Sequence, residues 1–296
     1  MSEQTDYTQL QDFVFMMTEK CNSNCTMCPM SEGARRRGRA FSDSEIDEML
    51  QKITDETEHI DITGGEPFLQ HEQLFHVMCE LNEKHPYIPV QILTNGRALF
   101  LPSIQAQIKP LLRKRYLFAI PVHGPDAASH DAISEAQGSF AETMEGLRFL
   151  SHEHARIEVR IVGSRLNAHR IQDTCAMLAA SGLHIHVVNI IAMEMTGSAA
   201  RNRSQLWIDY RQLYRQAEPG ILQLIRHGID VGLYNFPLCA LPRYAWPLAK
   251  ISISPWKIRY PAACDRCTVR NACGGLFYST QLLGLFTVRP CSEEDS

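Results

Sequence analysis

Residues 18–30 read TEKCNSNCTMCPM, directly after the apolar run FVFMM of residues 13–17. A short apolar run bounded by a polar loop reads as a buried strand, so Cys21, Cys25 and Cys28 stand on the loop that leaves its carboxyl end. The same grammar recurs along the chain. Strand-like HIDIT runs into GGEP at 64–67, VQILT into TNG at 94–96, and YLFAIPV into HG at 123–124, while IEVRIVG and HIHVVNIIAM supply a fifth and a sixth strand. Helical patterns lie between them, two opening with the spacing of a capping box, Ser42 with Glu45 and Ser139 with Glu142. Alternation of this kind from about residue 12 to about 195 specifies βα units and a parallel sheet. The expected fold is α/β: a partial (β/α)6 TIM-type barrel over residues 12–200, then a helix and a small Cys-rich module over 201–296. In such sheets chemistry gathers at the carboxyl ends of strands, where the cysteine loop, GGEP, TNG and HG all fall.

The totals narrow the classes. The chain has 296 residues, 45% hydrophobic and 21% charged, with a formal charge of -4. That balance lacks the basic face that a general affinity for nucleic acid or anionic membrane requires. The start MSEQTDYTQLQD has neither the basic end nor the apolar core of a signal peptide, and no apolar run reaches bilayer length. The ten cysteines are therefore expected in a reducing cytoplasm, where clusters of them read as metal ligands before disulfides. Cys79 and Cys175 stand apart in helix-like stretches and are expected to be small buried hydrophobes.

Three thiolates can hold three irons of a cubane cluster and leave the fourth iron open to a ligand. Zinc is the competing metal, but a structural zinc wants four ligands. A second cluster, CDRCTVRNACGG at 264–275, has C-x2-C-x5-C spacing, with Cys239 upstream and Cys291 downstream. It lies in a Pro- and aromatic-rich passage too poor in apolar periodicity for a large core, so closure around a metal would explain how it folds. Iron–sulfur and zinc both remain open there. Tyr234, Trp246 and Trp256 are expected to pack that module. The basic run ARRRGRA at 34–40 reads as a solvated loop or as a clamp for a carboxylate or acidic peptide.

CNSNCTMC, followed after the second strand by GGEP, resembles the radical S-adenosylmethionine (SAM) superfamily; Met27 stands where an aromatic is frequent. The resemblance implies a [4Fe–4S] cluster on Cys21, Cys25 and Cys28, SAM bound to its open iron through amino and carboxylate groups, and a 5′-deoxyadenosyl radical that abstracts hydrogen from substrate. The carbonyls of Gly64 and Gly65, with Glu66 and the turn at Pro67, can receive an ammonium group. Arg160 on the fifth strand suits a carboxylate, and Asn95 and His123 lie at strand ends where ribose or substrate would sit. Many members carry a serine at the end of the fourth strand, where this chain has Pro121.

The C-terminal spacing resembles the SPASM/twitch auxiliary-cluster modules. Phe277 occupies the position of a further cysteine of the fuller module, which implies one auxiliary [4Fe–4S] cluster, on Cys264, Cys267, Cys273 and Cys291 with Cys239 as the alternative fourth ligand. Longer stretches, among them EMTGSAARNRSQLWIDY, resemble the C-type maturases of His-Xaa-Ser systems. That likeness implies a ribosomally made precursor peptide as substrate, an oxidative crosslink or related side-chain modification as reaction, a ferredoxin or flavodoxin as electron donor, and a second radical SAM maturase as partner. The chain starts shortly before its first motif, so an N-terminal peptide-handling region is expected to be short or absent. Oxidation of a protein residue or small molecule, as in sulfatase-maturing relatives, and a metal-folded peptide-binding module without turnover are the alternatives.

Overall fold

The computed structural model describes residues 12–292. Its strands are β1 (Asp12–Met16), β2 (His59–Thr63), β3 (Val90–Leu93), β4 (Tyr116–Pro121), β5 (Arg156–Gly163), β6 (Val187–Ala192), β7 (Asp230–Tyr234), β8 (Ala249–Lys250), β9 (Ile258–Arg259) and β10 (Leu276–Phe277). Its helices are α1 (Glu32–Arg37), α2 (Asp43–Leu50), α3 (His71–Lys84), α4 (Pro102–Ile108), α5 (Ala127–Ser134), α6 (Ser139–His152), α7 (Ile171–Ala180), α8 (Gly197–Arg201), α9 (Arg203–Leu206), α10 (Tyr210–Arg226) and α11 (Tyr278–Leu282). Strands β1 to β8 follow one another in chain order in one sheet. The α/β class and the six expected strands hold; the sheet takes two further strands, β7 and β8, from a passage whose glycines, prolines and short runs hide their period.

By internal contact the chain divides into two units: one holds the chain up to Asn24 with Glu32–Ile120 and Ala141–Glu158, the other Cys25–Ser31, Pro121–Phe140 and the chain from Val159 onward. In the first, β1–β2, β2–β3 and β3–β4 pair in parallel. Ile60, Ile62, Ile92 and Phe118 are fully buried, as are Leu74, Val77, Met78 and Leu81 of α3. Ser42 caps α2 with both bonds of the capping box. The second expected box is not made: Ser139 donates its hydroxyl to Asp131 at 2.8 Å, and Glu142 pairs with Arg97. Cys79 is also a correction, for it is exposed; it lies on α3 away from the face carrying Leu74, Val77, Met78 and Leu81, which helical periodicity turns inward.

In the second unit β6–β7 and β7–β8 are parallel, and α10 packs on α7. The contact is close at Gly220, where a Cβ would come within 2.9 Å of Cys175. Cys175 is buried as expected, and desolvation pushes its thiol up to about 12. Past β8 the described residues add the short antiparallel pair β9–β10 and the helix α11. Trp246 is half-buried and donates to the Leu238 carbonyl at 3.1 Å, but Trp256 is 72% exposed and does not pack the module. The basic run becomes α1: Arg35 is buried and donates to Asn24 at 2.7 Å, Arg36 pairs with Glu32, and Arg39 pairs with Glu45.

Candidate active site

The first unit carries the N-terminal arm of the cysteine loop and the turns after β2 and β3. The two glycines of GGEP are dictated by the chain beside them. A Cβ on Gly65 would stand 2.1 Å from the Lys20 carbonyl and one on Gly64 2.3 Å from that of Thr18, and Gly64 has φ +148. The gap is closed by backbone bonds, Gly65 N to Thr18 O at 2.6 Å and Glu66 N to Lys20 O at 2.8 Å. Glu66 is fully buried; its Oε1 accepts from the Thr94 hydroxyl at 2.6 Å and the Phe68 N–H at 3.1 Å, and its Oε2 from the Asn95 N–H at 2.7 Å. Burial raises its pKa, while these donors favour the carboxylate. Glu66 thus ties the turn after β2 to the turn after β3.

Asn95 donates from Nδ2 to the Asn22 side chain at 2.6 Å. Next to it stands a residue that sequence reasoning missed. Arg97 donates from Nη1 to the Asn22 carbonyl at 2.5 Å and to Ser23 Oγ at 3.1 Å, and its Nε pairs with Glu142 at 2.6 Å. Ser23 in turn donates its N–H to Cys21 Sγ at 3.4 Å. No motif flags Arg97; its only sequence signal is its place directly after TNG.

The second unit carries the other arm, Cys25–Ser31. The Cys28 carbonyl accepts from Ser198 N at 3.0 Å, the Thr26 carbonyl accepts from Asn202 Nδ2 at 2.9 Å, and the Thr26 N–H donates to the Ile133 carbonyl at 2.9 Å. Met27 is buried among Ile133, Met193, Met195, Ala199 and Leu206. His123 is buried with its ring tilted 5.1 Å from that of His130, its backbone N–H donating to His130 Nδ1 at 3.2 Å and its carbonyl accepting from Asn167 at 3.2 Å. Its own Nδ1 has no partner among the described residues. Desolvation, with His130 beside it, lowers its pKa to about 3, so the ring is neutral at ordinary pH. Arg160 is half-buried on β5, and its carbonyl accepts from Val122 N at 3.0 Å.

The same unit holds the C-terminal cysteines. Cys239, Cys264, Cys267 and Cys273 line a small, mainly apolar hollow together with Tyr260 and Leu276. Cys273 Sγ accepts N–H bonds from Leu238 and Gly275, each at 3.4 Å. Cys291 does not line the hollow; its carbonyl accepts from Thr268 N at 3.1 Å, next in chain to Cys267. Burial pushes the Cys239 thiol up to about 11 and that of Cys264 upward, with Cys273 reinforcing both, as expected of crowded neutral thiols. Among the described residues no three His, Cys, Asp or Glu side chains are already gathered as ligands of a single ion.

The family model of the Radical SAM superfamily matches residues 15–178, more than half of the chain. The chain belongs to the Radical SAM superfamily. Membership implies a [4Fe–4S] cluster and S-adenosylmethionine. The donors fit such a cluster, for Cys21, Cys25 and Cys28 are half-buried soft thiols and Cys21 Sγ already accepts an N–H. The radical SAM chain is similar to the AdoMet-dependent heme synthase of Nitratidesulfovibrio vulgaris, 26% identical over 176 residues, covering 58% of this chain and 46% of that protein. Among solved structures it is similar to Streptococcus suis SuiB bound to precursor peptide SuiA, with TM-score 0.60 at 13% identity over 75% of this chain and 48% of that one. It is also similar to anSMEcpe with bound AdoMet and Kp18Cys peptide, with TM-score 0.55 at 15% identity over 75% of this chain and 63% of that one. These likenesses establish the partial-barrel fold; the chain spans about half the length of the curated relative and of SuiB. Among the described residues no helix is long and apolar enough to cross a membrane.

Proposed function

We propose that the chain is a radical SAM enzyme that modifies a ribosomally made peptide, with residues 12–200 carrying the SAM chemistry and 201–296 one auxiliary cluster. The observation that carries the first part is the scaffold around the Cys21 arm, in which GGEP and TNG hold the loop with direct hydrogen bonds. When bound, the cluster and SAM supply a one-electron reduction of a sulfonium and a carbon radical able to take hydrogen from substrate. Cys21, Cys25 and Cys28 hold the iron. The Gly64 and Gly65 carbonyls receive the SAM ammonium, Arg160 takes its carboxylate, and Asn95 lies toward the ribose. His123, fixed through its backbone and kept neutral, offers Nδ1 as an acceptor for a hydroxyl group.

The hollow supports an auxiliary [4Fe–4S] cluster on Cys264, Cys267 and Cys273. Cys239, which lines it, is favoured over Cys291 as the fourth ligand. The N–H bonds to Cys273 are the kind that tune cluster thiolates, and zinc is the rival metal. A peptide substrate is supported by the resemblance of the sequence to His-Xaa-Ser maturases and by a fold shared with proteins solved with peptides bound. A second reading, a tetrapyrrole or other small molecule, is favoured by the likeness to the heme synthase. An electron donor of the ferredoxin or flavodoxin type and a second maturase complete the proposal.

Anaerobic purification with iron and sulfide analysis, then SAM and reductant with a precursor peptide encoded beside the chain, tests it. Expected are seven to eight irons per chain from two cubanes, 5′-deoxyadenosine, and a peptide lighter by hydrogen. Zinc in place of iron with no 5′-deoxyadenosine would falsify the enzyme reading. SAM cleavage with an unchanged peptide would shift the substrate to the small-molecule class.

A further inference from the structure

We propose that Arg97, braced by Glu142, is the positioning residue of the Cys21 arm and raises the reduction potential of the cluster bound there. The inference rests on the radical SAM reading above. Arg97 reaches the arm at two points, the Asn22 carbonyl and Ser23 Oγ, and the next bond inward is Ser23 N–H to Cys21 Sγ. Its side chain is 13% exposed, so water screens its charge poorly. Its field also reaches Glu66, where it favours the carboxylate.

Reduction places one more negative charge on an iron–sulfur cluster. A cation held nearby in a medium of low dielectric stabilises the reduced form, and an N–H aimed at a ligand sulfur does the same. Glu142, bonded to the far side of the guanidinium, offsets part of that field while fixing its direction. The two partners therefore act on the potential with opposite signs. A mere brace behaves differently, because losing either half of the pair would loosen the loop in the same way.

The experiment is a potential titration of the anaerobically reconstituted full-length chain, followed by electron paramagnetic resonance. The signal that changes on adding SAM identifies the cluster to be read. Arg97→Gln is expected to lower the reduced-to-oxidised ratio at the wild-type midpoint about tenfold, or about 59 mV for one electron. Glu142→Gln is expected to raise that ratio several-fold, and Arg97→Lys, which keeps the charge and loses the fork, to lower it less than Arg97→Gln does. Shifts of the same sign in Arg97→Gln and Glu142→Gln, or ratios within about twofold of wild type in both, overturn the inference and leave the radical SAM reading standing. If Arg97→Gln fails to load iron, Glu142→Gln decides alone: a rise supports the inference, and a fall or no change overturns it. A wild-type chain that binds no cluster overturns both.

Discussion

At Glu66 three donors converge on one buried carboxylate. Glu66→Gln would turn an amide nitrogen toward donors that need an acceptor, so a loss of about 1–3 kcal/mol is expected, measured by urea unfolding. Stability unchanged within error would contradict the tether. GGEP was legible as a tight turn because its residue types are diagnostic. The steric demand of the Thr18–Lys20 backbone on its glycines was not, since it comes from chain some 45 residues away. His59 adds a pH dependence. Its hydrogen bond to Asp61, against an opposing desolvation, raises its pKa above 6.5. The folded state therefore prefers the protonated ring, and this stabilisation is complete below the unfolded pKa and lost as pH rises through the folded one. Compared by denaturant melts, His59→Gln should be less stable than wild type by some tenths of a kcal/mol near pH 6, for a partly exposed pair. The gap should narrow as pH rises through the folded pKa, above 6.5. A gap that widens with pH would refute the sign.

At the scale of elements, the six first strands were readable because each is an apolar run bounded by a turn. β8 was not, because two residues, Ala249 and Lys250, carry no period and are recruited only by register with Leu233 and Tyr234. The two capping boxes make the same point in miniature. Glu45 divides its oxygens, Oε2 accepting from the Ser42 N–H and Oε1 pairing with Arg39, so the local rule holds. Ser139 and Glu142 have long-range partners, Asp131 and Arg97, and the local rule yields. Ser42→Ala should accordingly cost about 1 kcal/mol by removing an acceptor from the α2 start. Ser139→Ala should act elsewhere, by removing one of three donors to the Asp131 carboxylate, which also accepts from the Gly138 and Phe140 N–H groups at the start of α6.

At the scale of the molecule, the described residues beyond β8 have little regular structure, namely the pair β9–β10, α11 and three short 3-10 turns. A two-stranded pair is marginal alone, so bound metal should dominate its order. Trypsin should cut the iron-free chain at exposed Arg266 and Arg270 at least about tenfold faster than the reconstituted chain, if metal binding is folding free energy there. Equal rates would mean that the module folds without metal. Composition and spacing disclosed the class of the molecule and its metal-binding character, because those depend on residue type. They did not disclose which thiol faces which, because Cys239 and Cys273 meet only after the chain has folded.

The exposure of Cys79 has a practical corollary. With both clusters loaded, seven thiols are engaged as ligands and Cys175 is sealed in the interior with a thiol too basic to ionise. A maleimide or Ellman count on native protein should then reveal two quick-reacting sulfhydryls, Cys79 and whichever of Cys239 and Cys291 is spared. A Cys79→Ser background, conservative on an open helix face, would leave a single label whose tryptic peptide names the spared residue.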